Sequence, residues 1–295
     1  FFWKGKQMKR GKFYSKMITE FAKNILFNFK KSNYTFNPVF IIGCGRSGTT
    51  ILGETLSKHP KIKYLNERRD LWHKAYPEFD IWSGKIENPK LFANKYHVDF
   101  EKDALLKKLF FREQVLWNSE ILLEKLPINN FRLKFLNTSF PNAKYIYLTR
   151  NGLEVSKSIE NRIQKNNWFT GSKFELLKEF SSLKNINFDC EINSDVQKGM
   201  WEWRLSMQES DTFFKKMNSS KFTHISYQDF TQNTESTLKQ IFDFLSLEYS
   251  EKLILNLSEK IELKNNTINK SSEENLMKIG GEILKSTINN SYSAF

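Results

Sequence analysis

The run Gly43-Cys44-Gly45-Arg46-Ser47-Gly48-Thr49-Thr50, directly behind the apolar segment 38–42, narrows the folds open to this chain more than any other feature. A short apolar stretch that ends at glycine reads as a buried parallel strand, and the glycines after it read as a phosphate-binding loop that opens a helix. Such a strand-loop-helix gathers backbone N–H groups and a helix N-terminus around one anion. Arg46 adds a fixed charge, and Ser47, Thr49 and Thr50 add hydroxyls. Thr49 stands where a nucleotide triphosphatase carries the lysine that serves the β- and γ-phosphates of ATP or GTP. The loop therefore points to a nucleotide without that triphosphate tail.

The hydrophobic pattern continues as alternating elements. A helix is predicted over 49–57 and a short strand over 61–65. Residues 66–100, rich in Trp, Tyr, Pro and Asn, read as an irregular segment that covers substrate rather than as core. An amphipathic helix is expected at 104–117, a strand at 144–149, and a helix at about 153–163. A long helix follows at 196–217, whose Met200, Trp203, Met207 and Phe214 recur at helical spacing and read as core. A strand at 222–227 and a helix at 237–247 close the series. Strands alternating with helices predict an α/β fold, a central parallel sheet flanked by helices on both faces. With 295 residues, the chain reads as one domain over 38–295 preceded by a basic amphipathic segment, 1–37.

The strand at 144–149 ends in Arg150, where a P-loop nucleotidase commonly has an Asp that helps hold Mg²⁺. A cation there argues for a second anionic group and against a metal. Ser158 and Arg162, four residues apart, share a face of the next helix, so Arg150, Ser158 and Arg162 could close around that second group. The four histidines and two cysteines show no metal-ligand spacing, and no metal site is read. Two phosphate sites, no triphosphate lysine and no metal acid describe a 3′,5′-bisphosphorylated adenosine.

At this point the chain resembles the sulfotransferases that use 3′-phosphoadenosine 5′-phosphosulfate (PAPS), in the branch that includes tyrosylprotein and many carbohydrate sulfotransferases. GCGRSGTT is similar to that family's 5′-phosphosulfate loop, and HPKIKYLNERR to its His-Pro and Glu-x-Arg region, here Glu67 and Arg69. Lys125 and Pro127 match a Lys-x-Pro element, Arg150 and Ser158 a 3′-phosphate motif, and Arg162 an arginine of tyrosylprotein sulfotransferases. The likeness spans roughly 38–250 and implies a P-loop-containing sulfotransferase-like fold. It implies that Glu67 is the base and that Lys125 and Arg46 stabilise charge in the reaction. It also implies that Arg46, Ser47, Gly48, Thr49, Thr50, Arg150, Ser158, Arg162 and Tyr227 hold PAPS, leaving adenosine 3′,5′-bisphosphate as product, while Arg69 contacts the acceptor. Glu67 suits a proton-accepting role if partial burial raises its pKa. Further cofactor contacts belong in 258–280, which does not align, and Asn151 stands where an acid is common. The acceptor hydroxyl, on a peptide, a glycan or a small molecule, is not readable.

Charge leaves rivals to weigh. The net charge of +13 and pI near 9.5 fit nucleic acid, a lysine-rich surface, or anionic ligands, and the motifs favour the last. No specific nucleic-acid recognition motif is visible. A basic nucleic-acid-binding protein and a P-loop kinase of a small metabolite stand as alternatives to the metal-independent sulfotransferase. In 1–37, Lys4, Lys6, Lys9, Arg10, Lys12, Lys16, Lys23, Lys30 and Lys31 face Glu20 alone, with Phe1, Phe2, Trp3, Phe13 and Phe21 among them. This arm reads first as a peripheral helix packed on the domain, and second as a peripheral contact with a membrane surface or an acidic partner. Cys44 and Cys190 make no disulfide framework, so a reducing, cytoplasmic compartment is expected. The chain begins with Phe rather than Met, so an upstream anchor, with a Golgi-type lumenal location, stays open. Oligomeric state is not legible.

Overall fold

Five parallel strands form one sheet in the order β2-β3-β1-β4-β5, with β1 (Val39–Ile42), β2 (Ile62–Asn66), β3 (Ile121–Lys125), β4 (Lys144–Thr149) and β5 (Phe222–Ser226). The structure is a computed structural model that describes residues 10–29, 36–166, 168–186, 191–261 and 270–288. Helices α1 (Arg10–Phe29), α2 (Thr49–Leu56), α3 (Arg69–Ala75), α4 (Phe100–Leu116) and α5 (Leu133–Ser139) precede β4. After it come α6 (Gly152–Asn166), α7 (Lys173–Leu183) and α8 (Asp195–Phe214), then β5. The described chain closes with α9 (Tyr227–Gln232), α10 (Thr234–Leu245), α11 (Glu251–Ser258) and α12 (Lys270–Ile288).

Strand alternation divides the core between the two faces of the sheet. Val39, Ile41, Ile146 and Leu148 pack with Leu52 of α2 and Ile241 of α10 on one face. Phe40, Ile42, Tyr145 and Tyr147 pack with Met200, Trp203 and Phe214 of α8 on the other. Both faces are covered, which is why these strands read as unbroken apolar runs. The helical stripe Met200, Trp203, Met207 and Phe214 is core, as its spacing indicates.

One sequence-based expectation is corrected and one strand is added to those expected. Strand β3 lies between β2 and β1 and carries Lys125 at its end. Residues 66–100 are not a mere cover: Leu71, Trp72, Ala75, Tyr76, Phe79 and Ile81 are buried in the main core. Leu71, Trp72 and Ala75 sit on the short α3 and Phe79 on a single 3₁₀ turn at Pro77–Phe79, both too brief to show a helical period.

Helix α1 packs on the domain, as the first of its two readings has it. Lys23 Nζ lies 2.9 Å from Glu113 of α4, and Glu20 Oε2 accepts from Lys74 at 2.8 Å and Arg112 at 2.9 Å. Phe1, Phe2, Trp3 and Cys190 lie outside the described residues. Among the described residues no helix is long and apolar enough to cross a membrane.

The Glu20 pairing makes this docking sensitive to acid. Burial alone would raise its pKa, but hydrogen bonds and charge from Lys74 and Arg112 outweigh it and bring the value from 4.5 to about 2. A carboxyl more acidic folded than unfolded stabilises the fold above its ordinary pKa, and that contribution is lost as pH falls from 4.5 to about 2. Hydrogen exchange should therefore show α1 amides losing protection in that window ahead of the sheet. In Glu20→Gln, α1 protection should already be reduced at neutral pH, without a further α1-specific loss in acid. Equal acid responses of α1 in the two proteins would refute the assignment.

Candidate active site

Because all five strands run parallel, their C-terminal ends open along one edge of the sheet. Chain order changes direction there across β1, the crevice where open α/β sheets bind ligands. Each strand delivers a predicted site residue to that edge. β1 leads into the glycine loop, β2 into Glu67, β3 ends at Lys125, β4 leads into Arg150 and β5 into Tyr227. The register places Lys125 opposite both Ile41 of β1 and Asn66 of β2.

The loop has the construction of an anion cradle. Gly48 caps α2 in a left-handed conformation, φ 100°, with no side-chain cap, so the first N–H groups of α2 lack a side-chain acceptor. A Cβ at Gly48 would lie 2.5 Å from the Tyr227 ring, so glycine is required by contact as well as by φ. The Ser47 hydroxyl is buried with no hydrogen-bond partner among the described residues. Arg46 takes φ 72° and Glu67 φ 49°, strained values for side chains of this size at a loop that over-determines them.

Lys125 is fully buried, and its ammonium donates to Glu67 Oε1 at 2.8 Å and Thr50 Oγ1 at 2.9 Å. The lysine missing from the loop thus reaches it from β3. Glu67 Oε2 accepts from Arg69 at 2.8 Å, and the Arg69 guanidinium lies 3.9 Å over the Trp82 ring. Here the sequence-based expectation fails in sign. Burial does push the Glu67 carboxyl up, but the charges and hydrogen bonds of Lys125 and Arg69 outweigh it and hold the pKa below the usual carboxylate range.

The second group of cations surrounds the first turn of α6. Arg150 donates through Nε and Nη2 to Glu154 Oε2, at 2.9 and 2.6 Å, and its guanidinium stacks 3.9 Å over Tyr227. Arg46 Nε donates to Ser158 Oγ at 3.2 Å. Partial desolvation, followed by the like charges of Arg162 and Arg150, lowers the Arg46 pKa. Arg46, Arg150, Ser158 and Arg162 therefore form one neighbourhood in which like charges already repel. Arg162 is exposed on α6. Thr49 is buried in the first turn of α2.

Sequence reasoning missed several supports. Asn130 Oδ1 accepts the Gly43 N–H at 3.1 Å and fixes the start of the loop. A Cβ at Gly45 would lie 2.7 Å from the Trp168 ring, whose Nε1–H donates to Glu202 Oε2 at 2.7 Å. Glu202 also pairs with Lys173, buried beside it, at 2.7 Å. Glu124, buried beside Lys125, accepts from Trp72 at 3.0 Å and Asn129 at 2.9 Å, and burial raises its pKa to about 8. Apart from Glu124 and Asn129, five residues apart, these pairs join residues distant in the chain, and none carries a motif. Cys44 is free and buried, and burial followed by the Glu202 charge pushes its thiol pKa up, so it is not a nucleophile.

The opposed effects on Glu67 give a test. Lys125→Met should move the Glu67 carboxyl pKa upward, because the largest influence opposing burial is then removed. A carboxyl ¹³C titration measures this directly, and an unchanged Glu67 value would break the proposed coupling.

Comparison with known proteins identifies the family and the fold. Residues 38–251 match the model of the sulfotransferase family. Protein-tyrosine sulfotransferase A of Caenorhabditis elegans is 21% identical over 75% of this chain and 53% of its own length. An uncharacterized protein of Aquifex aeolicus is 23% identical over 74% of this chain and 26% of its own. The chain thus spans only about a quarter to a half of these two relatives. Among solved structures, sulfotransferase STF9 from Mycobacterium avium is similar in fold, with a TM-score of 0.54 at 14% identity over 92% of this chain and 80% of that one. The sulfotransferase domain from the curacin biosynthetic pathway gives a TM-score of 0.51 at 20% identity over 75% and 77%.

Proposed function

This chain belongs to the sulfotransferase family, and on that premise we propose that it moves a sulfonate group from PAPS to an acceptor hydroxyl. The observation that carries the reading is the buried Lys125 ammonium, held between Glu67 and the Thr50 hydroxyl at the mouth of the glycine loop. A proton acceptor, a cation and an anion-binding loop within hydrogen-bond reach of one another are what transfer to a hydroxyl requires.

The residues suit that nucleotide. Arg46, Ser47, Gly48, Thr49 and Thr50 would hold the 5′-phosphosulfate, and the unpartnered Ser47 hydroxyl supports this. Arg150, Ser158 and Arg162 would hold the 3′-phosphate, with Tyr227 beneath Arg150 on the nucleotide side. When bound, PAPS supplies an activated sulfonate on a phosphate leaving group. Glu67, kept ionised by Lys125 and Arg69, is ready to accept the acceptor's proton at neutral pH. Turning Lys125 toward an anion would weaken its hold on Glu67 and make that carboxylate the stronger base. Arg69, anchored on Trp82, and Trp168, packed on Gly45, would line the acceptor side.

A kinase or nucleic-acid reading is not favoured by the family match, and Arg150 still occupies the place of the metal-holding acid. We propose one domain over 38–295 with 1–37 as its appendage, which carries any peripheral membrane contact. The free, buried Cys44 supports a reducing compartment, read here as the cytoplasm.

Labelled sulfonate transfer from PAPS to a panel of peptides, glycans and phenols tests the activity. Glu67→Ala and Lys125→Ala should each lower turnover by about a hundredfold or more, with nucleotide affinity largely kept in the former. Arg150→Ala should weaken adenosine 3′,5′-bisphosphate binding far more than AMP binding. Equal losses for both nucleotides would refute the 3′-phosphate assignment, and near-normal turnover in Glu67→Ala would remove its role as base.

A further inference from the structure

Helix α1 is amphipathic the wrong way round for a helix packed on a soluble domain. Its inward face is polar: Glu20 meets Lys74 and Arg112, Lys23 meets Glu113, and Asn24 Oδ1 accepts from Arg112 at 2.8 Å. Among the described side chains, Phe27 adds an aromatic contact on that side, edge-on to Phe111 at 6.0 Å. The opposite face holds Ile18, Phe21, Ile25 and Leu26, exposed at 64, 67, 41 and 59%. Ala22 is exposed beside them. These positions recur three and four residues apart and so form one stripe. A surface helix ordinarily buries its apolar stripe and solvates its charges. Here Glu20 and Lys23 are paired with the protein and the stripe is left outside.

We propose that this stripe seats α1 on an anionic lipid surface. The inference does not rest on the sulfotransferase reading. Charge complementarity identifies the occupant. In sequence, Lys4, Lys6, Lys9, Arg10, Lys12 and Lys16 precede the stripe and Lys30 and Lys31 follow it. Glu20, the one acid of this segment, is turned inward and paired. An apolar stripe bracketed by cations is the composition of an interfacial helix, whose rings and aliphatic chains enter the headgroup boundary while basic residues meet anionic lipid.

A second copy of the chain is the poorer occupant. A second copy would bring the same net positive charge of residues 1–37, nine Lys/Arg against Glu20 in sequence, and so offers no complementary charge. The stripe also follows only about 14 Å of helix, from Ile18 to Leu26 at about 1.5 Å per residue, too narrow for the roughly 800 Å² that each partner of a stable dimer buries. The Lys23–Glu113 and Glu20–Arg112 pairs give the helix a rigid seat, so the stripe is presented in a fixed direction relative to the domain. Glu113 also reaches Arg68, the residue after Glu67, at 3.4 Å, which links that seat to the candidate active site.

The test is sedimentation of the full chain with vesicles of phosphatidylcholine alone or with added phosphatidylserine. The parent should bind the phosphatidylserine vesicles, less so at high salt, and bind phosphatidylcholine weakly. The double variant Phe21→Glu with Ile25→Glu should bind about tenfold more weakly or worse. Its melting temperature and adenosine 3′,5′-bisphosphate affinity should be unchanged, since both side chains point away from the protein. Leu255→Glu, at an exposed apolar position on α11, should bind as the parent does. Equal binding by parent and double variant overturns the proposal, as does a parent that ignores phosphatidylserine. A parent that light scattering finds dimeric, and that the double variant makes monomeric without vesicle binding, overturns it in favour of a second copy. Binding to poly-glutamate in preference to vesicles overturns it in favour of an acidic protein.

Discussion

A lysine ammonium with no exposure to water must be paired, and the pairing of Lys125 organises the candidate site. Its partners come from two other elements, Thr50 on the first turn after β1 and Glu67 just past β2. Only a strand lying between β1 and β2 can deliver one side chain to both, and β3 does so because its register sets Lys125 level with Ile41 and Asn66. A shift of β3 by one residue would turn Lys125 to the opposite face of the sheet and put Glu124 in its place. The burial that makes an unpaired charge so unfavourable therefore also fixes the register.

Much of this was legible in the chain. The loop 43–50 announced itself because its glycines are adjacent and follow an apolar run. Arg150 and Ser158 were found because both lie within one strand-to-helix step. β4 was read at its observed limits and β5 to within a residue at its end. What failed to show depended on partners distant in sequence. ILLEK, with a glutamate and a lysine in its last two places, reads as a polar ending rather than as an interior strand. Its polar ends are tolerated because the Glu124 carboxyl, favoured in its neutral form by burial, meets Trp72 and Asn129, and Lys125 meets Glu67. Trp168 and Asn130 support the loop across long separations, so no local pattern marks them.

The sign of the Glu67 shift is the clearest case. From sequence alone, burial is the expected influence, and burial does act upward. The ammonium of Lys125, 58 residues away, together with Arg69 reverses the net direction. Carboxylate and lysine are thus one coupled unit, and neither residue's chemistry can be assigned without the other.

The rest of the site has the opposite balance, an excess of positive charge. Arg46 sits near Arg150 and Arg162, and their repulsion, added to desolvation, makes its charged form less favourable. Arg46 is also held at a left-handed backbone angle. Sites of this kind stay assembled because the surrounding fold dictates them: Glu154 ties down Arg150, Tyr227 supports it, and Ser158 takes a hydrogen bond from Arg46. A dianion entering the cluster would relieve the repulsion rather than work against it, so that repulsion would become part of the affinity. An acidic residue in place of Arg150 would ease the repulsion among the arginines, but it would leave a phosphate facing a carboxylate unless a metal ion came between them. In this fold, the choice between Arg and Asp at the end of β4 is therefore a choice between carrying the counter-charge in the chain and importing it as a cation.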